Sequence, residues 1–210
     1  VPAPTIPCPF DRPSHPPCKS LSPVRRAPWH EPSIARDFMT QFDAIRNVLV
    51  CLRYGIGDVV METPVLEALH RRIPDAHITC LGAPPAVELL QGDPHVDRVE
   101  SIARWRLTHR WDEGTAESRA EIERWLEERE FDLVLDARYA AVAVGRAVWA
   151  RGIRTLEADE RVEAESIAAG EGGVAAIRAA VHAGWGLEIA ASGRPRLHLS
   201  ERERLAAASF

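Results

Sequence analysis

Nothing in this sequence is long and apolar enough to cross a bilayer as a helix. A span takes about 18 or more consecutive apolar residues. The longest apolar stretch, AAVAVGRAVWA from Ala140, is short and carries Arg146. A strong excess of one charge is also missing. The net charge of -5 over 210 residues argues against a dedicated nucleic-acid binder, though it is compatible with a local basic patch. Cysteine is sparse: Cys8, Cys18, Cys51 and Cys80, with no CxxC pair. That usage predicts reduced thiols rather than a disulfide framework. A centre built from Cys8, His15 and Cys18 falls short of the four well-placed ligands of a structural metal site, and no metal is expected. No charged-then-apolar signal pattern opens the chain. The first residue is Val1, and the last stretch, LSERERLAAASF, stops while a helical pattern is still running; truncation at both ends is the expectation.

What is present is ordinary for a globular protein, with 46% apolar and 27% charged residues. Proline is distributed unevenly. Residues 1 to 32 hold ten of the sixteen prolines and show no period. Such a segment buries too little surface to offset its ordering entropy, so residues 1–44 read as a disordered arm and lead-in, with a short helix over 33–44.

From Asn47 the pattern becomes regular. NVLVCL is a short, branched, wholly apolar run, the mark of a strand buried on both faces. VVMETPVLEALHRRI follows at helical spacing, with Pro64 inside it, where proline kinks a helix or marks its first turn. HITCLGA and RVESI read as strands, with PPAVELLQG as a short helix between them. AESRAEIERWLEERE is an amphipathic helix, FDLVLDA a buried strand, and residues 138 to 151 a helix. IRTLEAD reads as a strand, and GVAAIRAAVHAGWGLE as a helix ended by glycine. Strands and helices that alternate in this way imply an α/β fold: a doubly wound, mostly parallel, Rossmann-like sheet covered on both faces. Active residues of such sheets lie in loops at the carboxyl ends of the strands.

RYGIGDVV, residues 53 to 60, occupies such a loop after the first strand. Three readings compete for it. A dinucleotide fingerprint needs a third glycine and an acid about 20 residues on, but the third position is Val60 and the second strand ends in Leu81 and Gly82. A structural reading gives Gly55 and Gly57 positive φ in a tight turn and makes Asp58 a helix cap. The third reading makes Asp58 a catalytic carboxylate beside an anion site at the helix start. A helix N-terminus favours the charged form, so such a base is weak and works only if the hydroxyl proton leaves late.

Read in order, the motifs resemble the N-terminal domain of the heptosyltransferase family, glycosyltransferase family nine. They are Gly57-Asp58, Thr63-Pro64, Arg72-Ile73-Pro74-Asp75-Ala76, Asp93-Pro94-His95-Val96-Asp97 and FDLVLDARY. Tyr54-Gly55 stands where that family commonly has a serine pair. The resemblance implies the N-terminal half of a GT-B architecture, with an acceptor-side domain over 45–195. Residues 196–210 would begin the connection to a donor-binding domain that the chain lacks. It implies an inverting, metal-independent transfer of heptose from an ADP-sugar to a lipopolysaccharide-type glycolipid, with no cofactor beyond the sugar nucleotide. It implies a cytoplasmic protein in peripheral contact with the inner membrane. Asp58 would be the general base and Gly57 the point of close approach. A single displacement needs both substrates aligned, so the chain alone is expected to be inactive.

Further candidates follow from position. Gly55 belongs to the same loop, and Arg53 lies beside it, where a contact to phosphate and a surface ion pair are both open to it. Asp136 and Arg138 flank the end of FDLVLDA on the same rim. Arg104, Arg106, His109 and Arg110 interleave with Trp105 and Trp111, which reads either as a solvated loop with aromatic anchors or as arginines that grip an anion while tryptophan stacks on a sugar. Glu62, one turn beyond Asp58, reads as a solvated surface carboxylate, although a carboxylate pair is open to it. His95 reads as a turn residue, and Trp125, Trp149 and Trp185 as packing residues. The alternative to an enzyme is a Rossmann-like module that binds a nucleotide or partner without catalysis, with Asp58 only a cap.

Overall fold

The computed structural model describes Phe42, residues 44–199 and residues 201–208. The proline-rich arm, with Cys8, His15 and Cys18, lies outside the described residues, as does the helix expected over 33–44 except for Phe42 and Ala44. Five strands form one sheet: β1 (Asn47–Cys51), β2 (His77–Gly82), β3 (Arg98–Ser101), β4 (Leu133–Leu135) and β5 (Thr155–Leu156). Their order is β3-β2-β1-β4-β5, and every pairing is parallel. The chain thus builds outward from β1 to β3, then crosses back to β4 on the other side. The reversal opens a crevice at the carboxyl ends of β1 and β4, where such sheets place ligands.

Helices cover both faces. α1 (Ile56–Arg72), α2 (Pro84–Glu88), α3 (Ala116–Arg129), α4 (Val142–Ala150), α5 (Glu160–Ala168), α6 (Gly173–Trp185) and α7 (Glu201–Ala208) appear in that order. Successive strand residues point to opposite faces, so β1 feeds two cores. Val48 and Val50 join Leu66, Leu69 and Val181 on one side. Leu49 and Cys51 join Ile122, Leu126 and Val144 on the other. Both described cysteines, Cys51 and Cys80, are buried and free. No helix among the described residues is long and apolar enough to cross a membrane.

Several expectations need adjustment. The helix expected over 138–151 is a 3-10 turn (Ala137–Tyr139) followed by α4. IRTLEAD contributes only two paired residues, and the chain then enters α5, a helix not expected from the pattern. Asp159 caps it by accepting from the backbone N–H groups of Arg161 and Val162 at 3.0 and 3.2 Å. Trp149 is 56% exposed rather than packed, whereas Trp125 and Trp185 are buried.

Pro64 neither opens α1 nor ends it. Proline has no N–H to give the carbonyl four residues back, and the Thr63 hydroxyl donates to that carbonyl, Val60 O, at 2.9 Å. The Thr63 oxygen in turn accepts from the backbone N–H of Arg196 at 2.9 Å. The Thr-Pro pair therefore repairs the helix and fastens the chain's later segment to it.

Candidate functional site

The loop after β1 enters α1 without positive φ. Gly55 is the N-cap residue, with φ -82° and ψ 137°, and Gly57 is not among the positive-φ glycines. The expected tight turn is absent because the backbone passes directly from extended to helical. Gly55 is needed for space instead. A Cβ there would stand 2.5 Å from Asp58 Oδ2, so the carboxylate folds back over bare backbone. A Cβ on Gly57 would meet nothing within 4 Å, which leaves the surface beside it open.

Asp58 is the third helical residue and half-buried. The N-cap, Gly55, has no side chain to cap the helix, and the Asp58 carboxylate folds back over it. The carboxylate lies among the free N–H groups of the first turn, where a negative charge is favourable.

Beside it stands a network of charges at the carboxyl ends of β1, β4 and β5. Arg53 follows β1. Its Nε lies 2.9 Å from Glu62 Oε1. Its two terminal nitrogens donate to Glu163 at 2.5 and 2.7 Å, a two-pronged fit to one carboxylate. The guanidinium also lies over the Tyr139 ring, 4.9 Å from its centroid, and Arg138 covers the same ring at 4.8 Å. Arg138 donates to Ala158 O at 2.5 Å and sits 3.4 to 3.6 Å from Asp136, Glu157 and Glu160. Asp136 follows β4 with a left-handed φ of 53°. It is buried, and its Oδ1 accepts from the Ala158 backbone N–H at 2.7 Å.

Burial dominates the electrostatics of the network. It raises Asp136 above the usual carboxylate range, against the pull of Arg138 and the Ala158 hydrogen bond. Burial, reinforced by the Asp136 charge, pushes Glu157 up to about 7. Glu62 is pushed up to about 8, again chiefly by burial, with Arg53 opposing. For Arg53 burial disfavours the cation, but Glu163 and Glu62 more than offset it and hold the guanidinium protonated.

Glu62 is thus a buried group, 8% exposed, and not the solvated one expected from its helical position. α1 turns that face inward, against the network. A void of about 10 Å³ adjoins Glu62, Arg53, Asp136 and Trp185. That is roughly the room of one water and far below that of a sugar ring; the open surface of the rim is at Gly57.

The other candidates lie elsewhere. Arg104 and Arg106 follow β3 at the far edge of the sheet. Arg104 pairs with Glu100 at 2.7 Å, and Arg106 lies 3.6 Å from Glu117. Trp105 is buried and meets Trp125 edge-on at 5.1 Å, an aromatic anchor rather than a platform for a sugar. Trp111 is 67% exposed, with Arg110 over its ring at 4.3 Å; His109 lies 3.3 Å from Asp112. The structure therefore gathers Arg53, Gly55, Gly57, Asp58, Asp136 and Arg138 at one rim and leaves the arginines after β3 apart.

No protein-family model matches the chain, and no curated protein matches it significantly. Solved structures do. It is similar to crystallised glycosyltransferases. The glycosyl transferase family 9 structure from Veillonella parvula DSM 2008 is 15% identical, with a TM-score of 0.49, over 79% of this chain and 48% of that one. E. coli ADP-heptose lps heptosyltransferase II is 18% identical, with a TM-score of 0.46, over 78% and 50%. E. coli heptosyltransferase WaaC with ADP is 20% identical, with a TM-score of 0.47, over 70% and 49%. The chain spans about half the length of these structures.

Tyr139, Glu157 and Glu163 complete the network and had not been singled out in the sequence. A signal for Glu163 was available: Asp159 followed by acidic residues is a helix start, and it places Glu163 one turn in.

The network makes stability depend on pH. Glu62 titrates near its ordinary 4.5 when unfolded and near 8 when folded. Between those values the folded chain keeps a proton that the unfolded chain has lost. The stability from neutral Glu62 is whole below about pH 4.5 and is lost as pH rises through 8. Glu157 acts with the same sign up to about 7. The denaturation midpoint is therefore expected to fall from pH 5 to 8, and Glu62→Gln, which stays neutral, should flatten the fall. Urea titrations across that range check this; an unchanged slope in the variant would assign the loss to other groups.

Proposed function

We propose that this chain is the acceptor-side domain of an inverting glycosyltransferase that moves heptose from an ADP-sugar to a lipopolysaccharide-type acceptor, completed by a donor-binding domain beyond residues 196–210. The observation that carries this reading is the Asp58 carboxylate. It is ionisable, half-exposed, and set beside an open glycine at the mouth of the switch-point crevice. The ordered Gly-Asp, Thr-Pro, Arg-x-Pro and Asp-Pro motifs supply the family.

In the reaction Asp58 accepts the proton of the acceptor hydroxyl as its oxygen bonds to the anomeric carbon. The bond from that carbon to the leaving phosphate oxygen breaks, and ADP departs with the electron pair. Asp58 ends protonated and returns its proton to water. Arg53 and Arg138 already face carboxylates, so they act here by positioning the rim. The acceptor is then held through hydroxyl groups by the carboxylates and through the bare backbone at Gly57. Contact with the inner membrane would come through the lipid of the acceptor.

The test is transfer of labelled heptose from ADP-heptose to lipopolysaccharide-core acceptors by the full-length protein. Gly57→Ala sharpens it. Alanine costs nothing sterically in the free fold and favours the helix by roughly 0.5–1 kcal/mol. Its expected result is unchanged or higher thermal stability with transfer reduced through a raised acceptor KM. No transfer to any such acceptor, or full transfer in Gly57→Ala, would count against the assignment.

A further inference from the structure

A second cluster lies at the opposite edge of the sheet. Asp93, Pro94 and His95 form the turn between α2 and β3. The neighbouring Asp97 accepts from the Ile78 N–H at 2.7 Å, at the amino end of β2, which places the turn far from the rim that holds Asp58. Asp93 is 4% exposed. Its Oδ1 accepts from the His95 backbone N–H at 2.9 Å and lies 3.0 Å from His95 Nδ1. Its Oδ2 faces His198 Nε2 at 3.9 Å, beyond a hydrogen bond. A ligand atom from each of the three residues lies within 4.8 Å of the others. The His95 ring meets His198 edge-on at 5.9 Å and His70 at 5.6 Å. His70, in the last turn of α1, keeps a buried Nδ1 with no partner.

A carboxylate this buried requires compensation by charge or coordination. Its ion-pair partners among the described residues are the imidazoles of His95 and His198, which are cationic only when protonated. Two imidazole nitrogens and one carboxylate oxygen form a ligand set suited to zinc. Bonds of about 2.0–2.2 Å place tetrahedral ligand atoms roughly 3.3 Å apart, so His198 has to approach by less than the width of a bond. Both imidazoles are partly exposed, which gives an ion a way in and leaves a fourth position to water.

We propose that Asp93, His95 and His198 bind a zinc-class divalent cation that clips the segment after α6 to the amino-terminal edge of the sheet. That segment already lies along α1: Arg196 bonds to Thr63, and a Cβ on Gly193 would come within 3.2 Å of Pro64. The ion would secure its far end, three residues before α7 begins. Its role is structural, because the cluster and the Asp58 rim occupy opposite ends of the strands.

The experiment is titration of the metal-free full chain with zinc chloride by calorimetry and thermal melting, with Co²⁺ absorption as a report of coordination. One ion per chain, a raised melting temperature and visible Co²⁺ bands of tetrahedral intensity are expected. His198→Ala, on an exposed segment, should weaken binding about 100-fold or more, beyond what loss of a supporting partner costs, without changing the metal-free melting temperature. His95→Ala should weaken binding at least as much, with some loss of metal-free stability because Asp93 loses its imidazole partner. The triple variant Cys8→Ser/His15→Ala/Cys18→Ser should bind as the parent does. Full affinity in His198→Ala, loss of binding in the triple variant, or no saturable binding would overturn the proposal.

Discussion

Asp58→Asn is expected to reduce sugar transfer by about 10²–10⁴-fold, the usual contribution of a positioned general base. Asparagine keeps the shape of the side chain and removes its capacity to hold the acceptor proton. The loss should fall on kcat, with the acceptor KM little changed. Stability should move much less. Asp58 stands in the first turn of α1, so the fold loses chiefly a favourable charge at a helix start, about 0.3–1 kcal/mol. Initial-rate kinetics and a urea titration of the same variant separate the two effects. Normal turnover, or a stability loss larger than that with turnover retained, would assign Asp58 to the scaffold.

Arg53→Met should produce the largest loss of stability, about 3–5 kcal/mol. The two carboxylates it faces are both largely buried. Methionine fills much of the stem's volume but leaves the Glu163 carboxylate without its two-pronged cationic partner and Glu62 without a donor. The ring of Tyr139 also loses one of its two guanidinium neighbours. Glu163→Gln added to Arg53→Met should restore part of the loss, because the amide has no charge to strand. A double-mutant cycle in urea measures that coupling. A cost below about 1 kcal/mol for Arg53→Met would mean that solvent screens the network as it does a surface pair.

The candidate rim was only partly legible before the fold was known. The glycines, Asp58, Asp136 and Arg138 could be placed because each follows a strand, and strand ends of a parallel sheet converge on one edge. Glu62 was misread because its spacing on α1 does not distinguish a solvated carboxylate from one turned toward Arg53. The same ambiguity affected tryptophan: Trp105 was open to both an anchoring and a stacking role and is core, while Trp149 was expected to pack and is exposed. A large aromatic side chain has no sequence period of its own, so its environment depends on which helix covers it. The role of Gly55 was also misassigned, since the need for an absent side chain arises from where Asp58 folds, and not from φ.

What the amino-acid order determined by itself was the class of fold. Short branched runs bury on both faces, helical runs cover them, and both signals repeat over a few residues, so they can be read locally. The parallel order β3-β2-β1-β4-β5 and its reversal between β1 and β4 came from the tertiary structure, because the same alternation is compatible with several strand orders. The tertiary structure decided the charges. Arg53 meets Glu163 across 110 positions, and Asp93 meets His198 across a similar span, in pairings that no local pattern encodes. Which of many exposed-looking carboxylates and imidazoles become buried neighbours depends on how helices pack over the sheet, and only the assembled chain fixes that.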